Sequence, residues 1–162
     1  MIGALPVVRG PASAASAGAA ALAFLALVSC LAGSAQAGPD DILGVWLTDN
    51  KSGWIEIYRD GDTYAGRIVA VVPPNGPDGR PQRDARNADP ALRARPLKGV
   101  VVLTGLKADG SGAWRGGRIY RPEDGKTYGA SVTLKDHDHL VLTASAGIFR
   151  GSKTWTRGEP PR

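Results

Sequence analysis

The sequence predicts an all-β fold: an eight-stranded antiparallel up-and-down barrel with one long loop or short helical flap. Three observations predict it. Past residue 37 the chain carries eight short runs in which apolar and polar residues alternate, the period of a half-buried strand. Most successive runs are joined by short Gly- and Asp-containing stretches that suit tight turns. No sustained helical period appears. Sequential antiparallel strands in a chain of 162 residues suit closure into a barrel, which removes exposed sheet edges. A two-sheet sandwich is the alternative arrangement.

Residues 1–37 are a different material. They hold no acid and a single base, Arg9, ahead of the apolar run AGAAALAFLALVSCLAG. A basic start, an apolar run and a small-residue end make a secretory signal, with Ala35-Gln36-Ala37 predicting a cut between Ala37 and Gly38. The run is short for a membrane span, so no transmembrane span is expected in the mature chain. LVSC, ending at Cys30, is the competing pattern of a lipoprotein anchored through that cysteine. Cutting after Ala37 leaves 38–162 as a single cysteine-free β-barrel domain, periplasmic or secreted and stable without disulfides.

The strands follow in order. The first is 42–48 (ILGVWLT). Runs 53–59 and 63–72 flank Asp60-Gly61-Asp62, a hairpin signal. Runs 99–106 and 113–120 flank KADGSG, and 126–134 follows RPEDG. Run 139–146 follows KDHD, and 151–157 closes the set. The one long connection is 73–98. Its first half, VPPNGPDGRPQ, is too rich in Pro and Gly for a strand interior. Its second half predicts one helical turn, with Asp89 as N-cap, Pro90 at the first position and Pro96 as the stop. Arg83, Asp84, Arg86, Asp89, Arg93, Arg95 and Lys98 alternate in sign along it. This predicts an ordered flap tied down by Asp–Arg hydrogen bonds.

Charge excludes one class of partner. The 20 basic and 15 acidic residues alternate along the chain and give only +5; no basic block or stripe marks a nucleic-acid site. Phosphate-loop, dinucleotide and nucleophile-elbow patterns are missing, so no cofactor is expected. Both histidines lie in Asp136-His137-Asp138-His139, which reads as turn chemistry and not as a metal site.

Gly44-Val45-Trp46 opens the first strand and Trp155-Thr156-Arg157 ends the last. Closure makes those strands neighbours and sets Arg157 over the Trp46 indole, a cation–π contact. Gly44, Trp46, Trp155 and Arg157 are thus the expected closure residues. Gly116-Gly117 inside a run predicts a bulge or a close backbone approach. Tyr120 and Tyr128 flank RPEDGK; they either offer hydroxyls to an apolar cavity or pair across the base of a hairpin.

The order GVW, GWIEIYRDGDTYAGRIV, RDARNADPALRARPLKG, WRGGRIYRPEDGKTY and GIFRGSKTWTR resembles the bacterial secreted domain-of-unknown-function family 2147. The resemblance covers nearly all of 38–162. It implies an exported, lipocalin-like barrel and no established activity. The family pattern D-x-x-N-x-D-P-x-L-R-x-R-P-L-x-G falls on Asp84, Asn87, Asp89, Pro90, Leu92, Arg93, Arg95, Pro96, Leu97 and Gly99. It also implies a Cys pair in the second hairpin, where Asp60 and Ala65 stand here.

Three function classes follow. The leading one is non-catalytic binding of a small apolar or amphipathic ligand in the cell envelope. Its candidate contacts are Asp84, Asn87, Arg93, Arg95, Arg118, Tyr120 and Tyr128, and the small residues Gly66, Ala70, Ala130, Ala144 and Ala146 favour a cavity. The second is an envelope protein–protein interaction module whose barrel is filled by its own side chains. The third is an enzyme using Asp84, Tyr120 or Tyr128.

Overall fold

The computed structural model describes residues 37–110 and 112–161. The expected leader therefore lies, apart from Ala37, outside the described residues, and so does Cys30. Eight strands run in chain order: β1 (Gly44–Leu47), β2 (Gly53–Asp60), β3 (Thr63–Val71), β4 (Val101–Ala108), β5 (Ala113–Arg121), β6 (Lys126–Leu134), β7 (His139–Ala146) and β8 (Phe149–Arg157). Each pairs antiparallel with the next, and β8 returns to β1 to close the barrel. The sandwich alternative is thereby excluded.

Three strand starts differ from the sequence reading, each by two residues, and several strand ends shift by one or two. β1 begins at Gly44 because Ile42 sits in a preceding turn, fully buried, where its carbonyl accepts the Trp46 indole N–H at 2.9 Å. β4 begins two residues late because Gly99 adopts φ 93 in the turn that leaves the flap. β8 begins two residues early. Ala146 pairs with Phe149, so Gly147 and Ile148 form a two-residue turn with Gly147 at φ 60. A type II′ turn asks for glycine at that first position. The apolar Ile148 at the tip masked the turn in the sequence.

Up-and-down connectivity sends alternate loops to opposite ends. The β2–β3, β4–β5 and β6–β7 turns lie at one end with residues 38–43. The β1–β2 turn, the flap (72–100), the β5–β6 turn and the β7–β8 turn lie at the other. The core fills the first end. Trp46, Leu103, Leu106 and Leu140 are fully buried there, and Trp114 meets Tyr64 edge to face at 6.4 Å between ring centres. Gly116, at φ 75, lies at a register shift between β5 and β6. A Cβ on the adjacent Gly117 would stand 2.6 Å from Leu106 Cδ2. The glycine pair thus bends β5 and admits a core leucine against its backbone.

Residues 38–43 strap the closed end. Arg157 lies over the Trp46 ring at 4.1 Å from its centre. It donates to the carbonyls of Leu43 (2.6 Å), Asp41 (2.6 Å) and His137 (2.7 Å). Gly44 is required beside it: at φ 126, a Cβ would stand 2.6 Å from Arg157 Nη1. The Trp114 indole donates to Pro39 O at 3.1 Å. Tyr64 donates to Asp40 at 2.9 Å, and Arg59 pairs with the same carboxylate.

Candidate functional site

The open end holds a cavity of about 560 Å³, within the usual range for a small-molecule site, roughly 300–1,000 Å³. Its depth is apolar, lined by Ile55, Ile68, Leu97, Val102, Leu142 and Trp155. Its mouth is polar, with Asp49, Arg83, Arg86, Tyr120, Arg121 and Lys153 around it. The barrel is therefore neither wholly empty nor wholly filled. Of the small residues expected to make room, Ala144 lines the cavity. Gly66 instead receives core side chains: a Cβ there would stand 3.1 Å from both Ile55 Cγ2 and Leu103 Cβ. Ala130 is buried, Ala70 half-buried and Ala146 exposed beside the hairpin tip.

The flap borders the mouth and is ordered. Its backbone pairs with itself, with the Asp84 N–H donating to Arg95 O at 3.0 Å and the Leu97 N–H to Gln82 O at 2.8 Å. Leu97 reaches the core. Pro90–Leu92 forms the expected helical turn as a single 3-10 turn, and Asp89 caps it by accepting from the Ala91 N–H at 2.9 Å.

Asp84 is the hub. It is wholly buried. It accepts from the Tyr120 hydroxyl (2.5 Å), Asn87 Nδ2 (2.7 Å), and Arg95 Nη2 (2.8 Å) and Nε (3.0 Å). Burial alone pushes its carboxyl up, but the bonds from Tyr120, Asn87 and Arg95 and the Arg95 charge outweigh it. The net pKa lies below the ordinary carboxylate value. Burial, followed by the bond to Asp84, pushes the Tyr120 phenol up to about 12. An ionised acid and a neutral phenol thus hold one another in place.

Of the candidate contacts, only Tyr120 lines the cavity. Asn87 is a buried residue of the flap itself, turned toward Asp84 and the Tyr120 hydroxyl. Its carbonyl accepts from Arg93 Nε at 2.8 Å, so Arg93 ties the flap to itself and Arg95 carries the charge pairing with Asp84. Tyr128 turns its hydroxyl to Asp124 at 2.6 Å, beneath Arg121; it braces the β5–β6 turn. Arg118 is exposed on β5 and does not line the cavity; it shares a strand face with Tyr120, which lies nearer the strand's end, where the flap and the mouth meet it. His137 lies in the β6–β7 turn at the closed end and His139 opens β7 beside it; they pair at 2.8 Å with Asp138 and Asp136 respectively. Among the described residues no cluster of His, Cys, Asp or Glu is arranged to hold a metal.

Sequence reasoning missed two features of the site. One is Gly125, at φ 69 in the β5–β6 turn: a Cβ there would overlap the Arg86 carbonyl. The flap lies directly on that glycine, and the Arg86 guanidinium bonds to the Glu123 carbonyl alongside. The other is the cavity wall from β7 and β8. There Lys153 pairs with Asp49 at 2.7 Å across the barrel seam. The alternation of β8 contained that signal, since Lys153 shares the inner face with Trp155.

No helix among the described residues is long and apolar enough to cross a membrane. No curated protein matches the chain. Among solved structures, protein HP1028 from the human pathogen Helicobacter pylori, described as belonging to the lipocalin family, is similar. It shares 28% identity at a TM-score of 0.64, covering 72% of this chain and 82% of that one. The family model for uncharacterized proteins conserved in bacteria (DUF2147) matches residues 44–157, from the glycine of the first strand to the arginine that closes the barrel, and the chain belongs to that family.

Proposed function

We propose that this protein binds a small amphipathic molecule in the bacterial envelope without transforming it. The observation that carries the reading is the cavity's division. An apolar depth closed by Trp155 and Leu142 opens through a rim of charged and phenolic groups. Such a site takes an apolar body inward and leaves a polar head at the mouth. The lipocalin-like neighbour supports the same use of the fold, and the expected cut after Ala37 supports export. The groups offered for acid–base chemistry are already engaged. Asp84 is spent on four donors, and the Tyr120 phenol stays neutral at physiological pH. Neither is poised as a general base near neutrality.

Two measurements test the reading. Mass spectrometry of solvent extracts from the purified protein should find a co-purifying amphipathic species. Anilinonaphthalene sulfonate, with its apolar rings and anionic head, should bind and fluoresce. Ala144→Phe, placed on the cavity wall, should weaken that binding at least about tenfold by overfilling the space. Empty extracts together with dye binding that Ala144→Phe leaves unchanged would refute the proposal.

A further inference from the structure

The exposed large apolar side chains among the described residues are Val72, Leu92, Val101, Ile148 and Phe149. All lie at the open end, in or beside its loops. Ile148 and Phe149 are extreme, at 92% and 76% exposure, and adjacent at the tip of the β7–β8 hairpin. Isolated exposed apolar residues need no explanation, but a concentration on one end does. The same end is basic. Lys51, Arg83, Arg86, Lys98, Lys126 and Arg150 are exposed in or beside its loops. Three of its carboxylates, on Asp49, Asp84 and Asp124, are neutralised by Lys153, Arg95 and Arg121; its other acids, Asp78, Asp89 and Glu123, are outnumbered by the exposed bases. The opposite end leans acidic: Asp40, Asp41, Asp60, Asp62, Asp109, Asp136 and Asp138 lie in or beside its strap and turns, against Arg59, Lys107, Arg115, Lys135 and Arg157.

We propose that the open end docks on an anionic lipid surface, with Ile148 and Phe149 inserted among the headgroups and the surrounding bases facing lipid phosphates. Apolar side chains projecting from a basic rim are the chemistry of interfacial binding. The more acidic far end orients the molecule mouth-down. A lipid surface fits better than a protein groove because the exposed apolar residues are spread over several loops of the rim and only two are adjacent. The docking rests on this asymmetry between the ends and does not need a ligand in the cavity. If the cavity binds an amphipath, docking places its mouth where amphipaths reside.

The test uses the full chain with vesicles of phosphatidylcholine, with and without phosphatidylglycerol. Hydrogen exchange is read by mass spectrometry on peptides spanning residues 146–151, a local signal that binding through any other segment leaves unmoved. Protection of the tip on anionic vesicles, and much less on neutral ones, is expected. Ile148→Ser with Phe149→Ser should abolish that protection in the neighbouring amides and weaken the tip-dependent binding at least about tenfold. Both side chains are exposed, so the fold should survive, as far-UV circular dichroism would verify. Unchanged tip exchange on anionic vesicles overturns the proposal, as does equal protection in the double variant. Protection by an envelope protein fraction but not by lipid overturns it in favour of a protein partner. Dye binding in vesicle-free solution is a separate readout, so the cavity reading can stand or fall independently.

Discussion

At the closed end several side chains converge on one strand of backbone; at the open end several donors converge on one buried carboxylate. Arg157 and Trp114 donate to carbonyls within residues 38–43, while Tyr64 and Arg59 hold the Asp40 side chain in the same segment. Arg95, Asn87 and Tyr120 all address Asp84. The first arrangement is distributed and tolerates the loss of a member. The second has a single hub, so its integrity depends on one residue. That difference suits a barrel whose sealed end is permanent and whose mouth must be both ordered and separable from the core.

Asp84→Ala should therefore have the largest effect. It leaves a guanidinium, an amide and a phenol without their acceptor. Breaking a buried ion pair from one side costs about 3–5 kcal/mol. The Arg95 side chain retains 36% exposure, which places the expected loss near about 3 kcal/mol. Urea unfolding measures it, and trypsin locates it: wild type should resist cutting at Arg86 and Arg93, whereas the variant should be cut there first. Immediate cutting of the folded wild type would mean that the flap is a solvated crossing.

Arg157→Ala should cost about 2–3 kcal/mol, combining the stacking on Trp46 with charge-assisted bonds to three carbonyls. Several other contacts continue to hold the strap. Arg157→Lys should recover less than half, since an ammonium cannot replace the planar fork and the stacking together. A shift in urea midpoint for both variants without new tryptic sites in the flap would keep the two ends energetically distinct. Flap cutting in Arg157→Ala would merge them.

The contrast between the ends also explains what was legible in the sequence. The strands were legible because alternation and turn chemistry are local. Trp46 over Arg157 was legible because closure of an up-and-down barrel makes the first and last strands neighbours. The flap's attachment showed in its alternating charges, but not its partner: Tyr120 lies 36 positions from Asp84, and no local pattern carries that distance. Gly125 beneath Arg86 was invisible for the same reason. The charge asymmetry of the two ends emerges only after connectivity sorts the loops.

Alkaline titration separates the hub from the rest by about 1–2 kcal/mol. The Tyr120 pKa is raised from 10.0 to about 12, so the folded state favours the protonated phenol. Its contribution is complete below pH 10 and is lost as pH rises toward 12. Tyr64 at the closed end is also raised, by burial first and then by its bond to Asp40. Tyr120→Phe should therefore flatten part of the alkaline loss of stability, and Tyr64→Phe another part. Stability profiles between pH 9 and pH 12 read both. A profile unchanged by Tyr120→Phe would remove the phenol from the hub.

The smallest effect belongs to Arg118→Ala. Arg118 and Tyr120 are near neighbours on β5 and look alike in sequence as polar candidates for a mouth. Tyr120 is half-buried, touches the cavity and donates to Asp84, whereas Arg118 is exposed on the strand. In register it stands between Thr104 of β4 and Gly129 of β6, so neither cross-strand neighbour offers it a carboxylate. Surface substitutions of this kind stay within about 0.5 kcal/mol. Arg118→Ala should leave urea midpoint, tryptic pattern and dye affinity at their wild-type values. Tyr120→Phe should loosen the flap, because Asp84 then loses a charge-assisted donor, at about 1.5–3 kcal/mol. Weakening of dye binding by Arg118→Ala would mean that the ligand extends over the rim onto the outer face of β5, enlarging the site beyond the cavity.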